Sequence, residues 1–204
     1  MPDRDEVKTA INSKLTEMAK SGQAPDVITF AGNGEPTIHP EFAGIIEDTL
    51  ELRNKYFPAA SVAVLSNSTT LGDINVREAL EKVDQCILKL DSAINDTFLA
   101  HNQPKMKISA EDIISNLESF EGSIILQTMF IQGEMEGKRI DNTTDKELGA
   151  WLNALKRIRP VEVQIYTVSR DAPAGNIIRK VPREMLEVIA EKVKELGFKT
   201  QVSA

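Results

Sequence analysis

Residues 27–37 read Val-Ile-Thr-Phe-Ala-Gly-Asn-Gly-Glu-Pro-Thr, an apolar strand that runs directly into a turn. The glycines leave the backbone of this turn uncovered, and the proline holds it rigid. Glu35 stands directly after the second glycine, at the carboxyl end of the strand. In α/β proteins the carboxyl ends of parallel strands carry the ligand-binding residues, so this turn is the first candidate for a site.

Outward from this turn, apolar strands alternate with amphipathic helices along the chain. Hydrophobic periodicity and capping residues predict helices over 4–20, from Pro40 to Leu50, 75–82, 109–120, 144–158 and 182–196. Continuous apolar runs predict strands over 27–31, 62–66, 86–91, 124–131, 161–168 and 198–202. This alternation predicts an α/β fold with a parallel sheet, built either as an open doubly wound sheet or as a barrel, which is complete or partial.

The composition is that of an ordinary globular protein. The chain has 204 residues, 41% of them hydrophobic and 27% charged, which fits one core and a single domain over 1–204. A net charge of −7 argues against general nucleic-acid binding, which needs a basic surface. No apolar run approaches the roughly 20 residues that span a bilayer, and the charged N-terminus does not resemble a signal peptide. We therefore expect a cytoplasmic protein without membrane contact.

Polar side chains close most of the predicted strands. They are Ser66-Asn67-Ser68, Lys89 with Asp91 and Ser92, Gln127 with Met129, and Tyr166 with Arg170. His39 and His101 are the only histidines, so these positions offer no Ser-His-Asp or Cys-His arrangement and no usual metal-ligand cluster. We assign no catalytic and no metal-ligating residue, because the set suits a small zwitterionic or ribose-bearing ligand.

The turn itself has two interpretations. It lacks the Lys-Ser/Thr ending of a phosphate-binding loop and the third glycine of a dinucleotide fingerprint. Either its glycines only supply a tight turn and Glu35 is solvated, or the carboxylate of Glu35 accepts hydrogen bonds from an ammonium group. The rigid Glu35-Pro36 pair favours the second interpretation.

Residues 29–37 resemble the Gly-Gly-Glu-Pro segment of the radical S-adenosylmethionine superfamily, in a variant with asparagine at the second glycine. In that superfamily the segment closes the second strand of a partial (βα)6 TIM-like barrel and holds the amino group of S-adenosylmethionine. Together with Asp141-Asn142-Thr143-Thr144, the pattern is most similar to iron–sulfur oxidoreductases and activators of glycyl-radical enzymes, such as the pyruvate-formate lyase-activating enzyme. The resemblance implies S-adenosylmethionine as cofactor and these binding residues: Gly32, Asn33, Gly34, Glu35, Pro36, Ser66, Asn67, Lys89, Asp91, Gln127 and Tyr166.

The sequence departs from the superfamily in its cysteines. The superfamily holds a [4Fe–4S] cluster with Cys-x3-Cys-x2-Cys after the first strand, whereas this chain has only Cys86. Cys86 begins an apolar strand and reads as a small buried side chain. We therefore expect the first βα element and its cluster loop to precede Met1, with 1–204 as the C-terminal part of a longer protein.

The resemblance also implies an activity for the full-length protein. It would reduce S-adenosylmethionine with an external electron donor and release a 5′-deoxyadenosyl radical that abstracts hydrogen from a substrate. The chain alone would be inactive without the cluster. The substrate stays open between a protein glycyl site, a peptide and a small molecule. Two alternatives are a cluster-free (βα) enzyme acting on a small phosphorylated metabolite and a non-catalytic binding domain.

Several single residues have two interpretations. Lys89 and Asp91 share a strand face and form either a structural ion pair or ligand contacts. Asn67 is either a turn former or a ribose contact, and Arg170-Asp171 either grips a substrate anion or forms a loop salt bridge. His39 fits the start of a helix, and His101 is predicted to lie in a polar loop.

Overall fold

The computed structural model describes residues 1–31, 34–135, 137–169 and 177–204. The helices in these ranges are α1 (Arg4–Ser21), α2 (Phe42–Tyr56), α3 (Ile74–Leu80), α4 (Asn95–Asn102), α5 (Ala110–Glu118), α6 (Asp145–Ile158) and α7 (Arg183–Glu195), with a 3-10 helix at Pro36–Ile38. The strands are β1 (Val27–Phe30), β2 (Ser61–Ser66), β3 (Gln85–Lys89), β4 (Ile125–Met135), β5 (Lys138–Asp141), β6 (Glu162–Thr167), β7 (Ile177–Lys180) and β8 (Lys199–Ser203).

Six of these strands form a parallel sheet and alternate with helices, in the hydrogen-bonded order β1-β2-β3-β4-β6-β8. The predicted α/β class with parallel strands is therefore confirmed. β5 and β7 lie outside this order, and each pairs antiparallel with the extended end of β4. The chain folds as two compact units, Met1–Ile87 and Leu88–Ala204, whose boundary falls within β3. The single-domain assignment stays a prediction.

The first unit is built on the parallel pair β1 and β2, with Val27 opposite Ser61. Its apolar core includes Ile46 of α2 and Val62 of β2, both fully buried. α1 begins with a capping box in which the Asp3 carboxylate accepts the Glu6 N–H at 2.8 Å. α1 packs along α2, so the charged residues of these helices meet across their contact.

The second unit is built on β4, β6 and β8. These strands run parallel in register, with Leu126 opposite Val163 and Val163 opposite Thr200. Trp151 of α6 packs edge-on against Phe130 of β4, with ring centroids 5.2 Å apart, and its indole N–H donates to the Thr128 hydroxyl at 3.1 Å. Trp151 therefore packs α6 against the sheet.

One local prediction was wrong, and the bounds of another helix are shifted. The polar stretch after Asp91 was predicted as a loop, but Asn95–Asn102 forms α4 and buries Phe98 and His101 on one face. The helix predicted over 75–82 is α3 at Ile74–Leu80, and its N-cap is Asp73, whose carboxylate accepts the Asn75 N–H at 2.9 Å. Burial of one face stabilises α4 although its sequence is polar. The start of α3 is set by its N-cap residue.

The antiparallel strands β5 and β7 were missed. Gly133, at the centre of this extension, has φ +153° and lies so close to the Ile177 carbonyl that any side chain there would collide with it. Only glycine allows this approach of two backbones. Among the described residues, no helix is long and apolar enough to cross a membrane.

One buried carboxylate holds α1 against α2. Asp48 accepts hydrogen bonds from the Arg4 guanidinium at 2.7 and 3.1 Å and from the Lys8 ammonium at 2.8 Å. The bond from Arg4, aided by Lys8 and opposed by burial, lowers the pKa of Asp48 to about 2. The folded state therefore favours the ionised carboxylate.

We expect Asp48→Asn to lower the free energy of unfolding by about 2 kcal/mol at pH 7, measured by urea denaturation. Because the folded pKa lies below the ordinary value of 3.8, this contribution is complete above about pH 4 and disappears as the pH falls through 2. Glu51→Gln is the control, since Glu51 is 73% exposed and 3.6 Å from Lys8. Equal effects of the two variants would contradict this assignment.

Candidate functional site

The first candidate group surrounds Glu35, which directly follows the glycine turn. Its Oε1 accepts the Thr37 N–H at 3.1 Å and the Thr37 hydroxyl at 2.5 Å. Its Oε2 accepts the Asn67 N–H at 2.6 Å, directly after the end of β2. The Thr37 hydroxyl also contacts the Thr70 hydroxyl. These bonds hold the carboxylate beside the end of β2, and Glu35 is half-buried rather than solvated.

Local sequence explains this placement. Glu35 is the N-cap of the 3-10 helix Pro36–Ile38, and Pro36 at its first position has no N–H to satisfy. The carboxylate therefore reaches the next free N–H, that of Thr37. Gly34 has open space where a side chain would stand. Gly32 and Asn33, two of the predicted binding residues, lie outside the described residues.

The carboxylate of Glu35 keeps acceptor capacity. An ionised carboxylate has about four acceptor positions, and protein donors occupy three of them. The position that remains is on Oε2, because Oε1 already accepts two donors. Glu35 can therefore accept one hydrogen bond from a cationic ligand while the protein holds it in place.

The residues at the end of β2 mainly shape the turn. Ser66 is buried, and its hydroxyl accepts the Ser68 N–H at 3.1 Å. The side-chain oxygen of Asn67 accepts the Thr69 N–H at 3.0 Å and the Thr69 hydroxyl at 2.6 Å. The geometry shows Asn67 as a turn former. Contact of Ser66 or Asn67 with a ribose stays a prediction.

The second candidate group, in the second unit, surrounds Asp91. Its side chain has no exposed surface, and its Oδ2 lies 3.0 Å from the Lys89 ammonium. Asn102 donates to Oδ2 at 2.7 Å, and the Met129 N–H donates to Oδ1 at 2.8 Å. Burial by itself would raise the pKa of Asp91, but the Lys89 charge and these donors lower it. The ionised Asp91 is thus fully engaged by the protein and positions Lys89.

Lys89 is the accessible member of this pair. Its side chain is 25% exposed. Burial would lower the pKa of Lys89, but the charge of Asp91 and the hydroxyl of Tyr166, which bonds the ammonium, raise it. Lys89 therefore stays protonated and can face an anionic group of a ligand. Gln127, also predicted to bind, donates to the side chain of Gln164 at 3.1 Å.

Asn142 joins three segments around Asp91. It is 2% exposed, and its amide nitrogen donates to the backbone carbonyls of Asp91 and Met129, both at 2.8 Å. Its side-chain oxygen accepts the Ile131 N–H at 2.8 Å. Sequence reasoning noted Asn142 only as part of a motif, since nothing in its neighbours indicates burial. One side chain thus satisfies three buried backbone groups.

His101 and Asn102, at the end of α4, were missed as members of this group. Both ring nitrogens of His101 and the side-chain oxygen of Asn102 are buried and have no hydrogen-bond partner among the described residues. Burial lowers the pKa of His101, and the opposing charge of Asp91 does not restore it, so the ring is neutral near pH 7. The spacing of Phe98 and His101 on one helix face was the signal that could have revealed this burial.

The remaining candidates are structural or undescribed. His39 accepts the Glu41 N–H at 3.1 Å just before α2, as expected for a residue at a helix start. Cys86 is 5% exposed, and burial raises the pKa of its thiol to about 12. Among the described residues, no group of three or more His, Cys, Asp or Glu side chains could hold a metal ion. Arg170 and Asp171 lie outside the described residues.

Sequence comparison finds relatives that are longer than this chain. No protein-family model matches it. A UPF0026 protein of Synechocystis sp. is 34% identical over 152 residues, which are 72% of this chain and 52% of that protein. A protein named GTPase Obg from Brachyspira hyodysenteriae is 26% identical over 161 residues, 77% of this chain and 22% of that protein. The chain thus spans about half the length, or less, of these curated relatives.

Comparison with solved structures defines the fold class. The chain superposes on a domain of pyruvate-formate lyase-activating enzyme from Bacteroides vulgatus with a TM-score of 0.62 and 17% identity, covering 87% of this chain and 98% of that one. A radical SAM methyltransferase from Sphaerobacter thermophilus gives a TM-score of 0.69 at 12% identity, and the match covers 99% of this chain and 57% of that one. Streptococcus suis SuiB bound to S-adenosylmethionine gives a TM-score of 0.68 at 12% identity, and the match covers 97% of this chain and 43% of that one.

These likenesses show that the fold matches the partial TIM-like barrels of radical SAM enzymes. The expected fold class is thereby confirmed. At these identities the similarity concerns the fold, and the ligands of the neighbours remain properties of those proteins.

We expect Asn142→Ala to lower the free energy of unfolding by about 3 kcal/mol, because it leaves an N–H and two carbonyls buried without this partner. Chemical denaturation measures the loss. Asn153→Ala is the matched control, since Asn153 is exposed on α6, and its effect should stay within about 0.5 kcal/mol. A loss at Asn142 no larger than at Asn153 would show that this buried network contributes little.

Proposed function

We propose that this chain is the S-adenosylmethionine-binding part of a radical SAM iron–sulfur oxidoreductase, related to the activators of glycyl-radical enzymes. The observation that carries the proposal is the carboxylate of Glu35. Thr37 and Asn67 hold it at the end of β2, and one acceptor position remains for an ammonium group. The fold, shared with radical SAM enzymes, supports the same conclusion.

The residues present fit S-adenosylmethionine. In this proposal Glu35 accepts a hydrogen bond from the ligand's ammonium group. The resemblance also implies Gly32, Asn33, Gly34 and Pro36 as binding residues. In the second unit, the protonated Lys89, fixed by Asp91, is a separate candidate contact for an anionic group. Ser66, Asn67, Gln127 and Tyr166 supply neutral hydrogen-bonding groups. When bound, S-adenosylmethionine supplies the 5′-deoxyadenosyl group that becomes the hydrogen-abstracting radical in the full-length protein.

The residues present do not fit a [4Fe–4S] cluster. Such a cluster needs several thiolates, and the single Cys86 is buried with a raised pKa. No step through a cluster is therefore assigned to residues of this chain. We propose that a segment outside residues 1–204 supplies the cluster, and that a separate electron donor reduces it.

The first test is calorimetric titration of the chain with S-adenosylmethionine. We expect Glu35→Gln to weaken binding by about tenfold or more, because it removes a charge-assisted hydrogen bond. Glu78→Gln, an exposed residue of α3, is the control and should bind as the unmodified chain does. Thermal melting confirms that both variants fold. Absence of binding to the unmodified chain, or equal binding by both variants, would refute the role of Glu35.

The second test separates the chain from the full-length protein. After anaerobic reconstitution with iron and sulfide, we expect the chain alone to form no 5′-deoxyadenosine, because it lacks the thiolates that hold a cluster. The full-length protein should form it and show the electron paramagnetic resonance signal of a reduced cluster. Turnover by residues 1–204 alone would contradict the proposal. The cluster-free enzyme and the non-catalytic binding domain remain the alternatives that these tests separate from it.

A further inference from the structure

Three glutamines lie side by side on neighbouring strands of the second unit. Gln127 of β4 is opposite Gln164 of β6, which is opposite Gln201 of β8. Residues paired in this way on adjacent strands point to the same face of the sheet, so the three carboxamides form one row. Two residues further along each strand, the same face carries Met129, Tyr166 and Ser203.

The internal hydrogen bonds of this row leave several groups free. Gln127 donates to the side-chain oxygen of Gln164 at 3.1 Å, and Gln164 donates to the Glu162 carboxylate at 3.4 Å. Among the described residues, the side-chain oxygen of Gln127 and the whole carboxamide of Gln201 have no partner. Free acceptors and free donors therefore stand next to each other on one face.

A cavity of about 250 Å³ opens on this row. It is lined by Gln127, Gln164, Ile165, Tyr166, Gln201 and Ser203. Burial raises the pKa of Tyr166, so its hydroxyl stays neutral at physiological pH, and no lining side chain carries a charge. The volume suits one small functional group rather than a whole cofactor.

We infer that this cavity binds a neutral amide group, –CO–NH–, of a ligand. Each glutamine side chain both donates and accepts, so it can pair with an amide in two directions at once. The lining itself holds no charged side chain for an ionic ligand. The two charged groups that bond to it are engaged by the protein, Glu162 by Gln164 and Lys89 by Asp91. An apolar group would leave the carboxamides without partners. An amide of a peptide or of a small molecule can accept from and donate to the free carboxamide groups of the row.

This inference goes beyond the proposed function and does not require binding of S-adenosylmethionine. Where the proposed function also holds, the row identifies an amide-bearing compound as the substrate class. The two conclusions share Gln127 and Tyr166, but they are tested on different residues, Glu35 for S-adenosylmethionine and Gln201 with Ser203 for the amide. A failure of either one is therefore visible by itself.

The test is a nuclear magnetic resonance titration of the chain with N-acetylglycinamide, observing the side-chain amide signals of its glutamines. We expect saturable shifts of the Gln127, Gln164 and Gln201 signals. Methyl acetoxyacetate, the neutral analogue in which ester oxygens replace both amide nitrogens, should bind about tenfold more weakly because it has no N–H donor. Absence of saturable shifts at these glutamines, or equal binding of the two compounds, would overturn the inference.

Two variants of lining residues and one control variant locate the site. Gln201→Met keeps the size of an exposed side chain while removing its hydrogen-bonding groups, and it should weaken N-acetylglycinamide binding about tenfold. Gln23→Met, an exposed glutamine after α1, should leave binding unchanged. Ser203→Ala gives a second, smaller perturbation of the same lining. Unchanged binding in both Gln201→Met and Ser203→Ala would overturn the inference, whatever the result with S-adenosylmethionine.

Discussion

A carboxylate that follows one strand and accepts a backbone N–H at the next strand occurs in both units of this protein. In the first unit Glu35, after β1, accepts the Asn67 N–H at 2.6 Å. In the second unit Asp91, after β3, accepts the Met129 N–H at 2.8 Å. Charge-assisted bonds of this kind are about twice as strong as neutral ones, so they fix the polar segments that follow the strands.

The two carboxylates differ in what they leave available. Asp91 is completely buried and bonded by Lys89, Asn102 and Met129, so it serves to hold Lys89 in place. Glu35 is half-buried and keeps one acceptor position. The same local arrangement therefore yields a structural centre in one unit and a candidate ligand contact in the other. The residue types alone do not indicate which carboxylate is buried or how many of its acceptor positions the protein occupies.

The sequence predicted the main parallel strands and most helices because these elements carry strong local signals. β2 and β6 are continuous or alternating apolar runs, and Thr144 caps α6 as its spacing to Glu147 indicated. α4 was missed because five of its eight residues are polar, although Phe98 and His101 bury one face. β5 and β7 were missed because short polar strands depend on pairing with β4, which is not a local property.

In the candidate site, too, some features follow from local sequence and others depend on contacts between distant segments. The place of Glu35 in a turn after β1 was indicated by the permissive glycines before it and the rigid proline after it, and its ligand role stays a prediction. Asn142 and His101 were not predictable, since their roles arise from segments that lie far from them in the sequence. The row of Gln127, Gln164 and Gln201 depends on the register of three strands, each 37 residues from the next in numbering. Hydrophobic periodicity carries no information about such register.

The most direct test of the central claim is a crystal structure of this chain grown with S-adenosylmethionine. The account predicts the ligand's ammonium nitrogen about 3 Å from Oε2 of Glu35, with the Asn67 N–H still bonded to the same carboxylate. S-adenosylmethionine bound elsewhere, or its ammonium group held by other residues while Glu35 contacts only the protein, would contradict it.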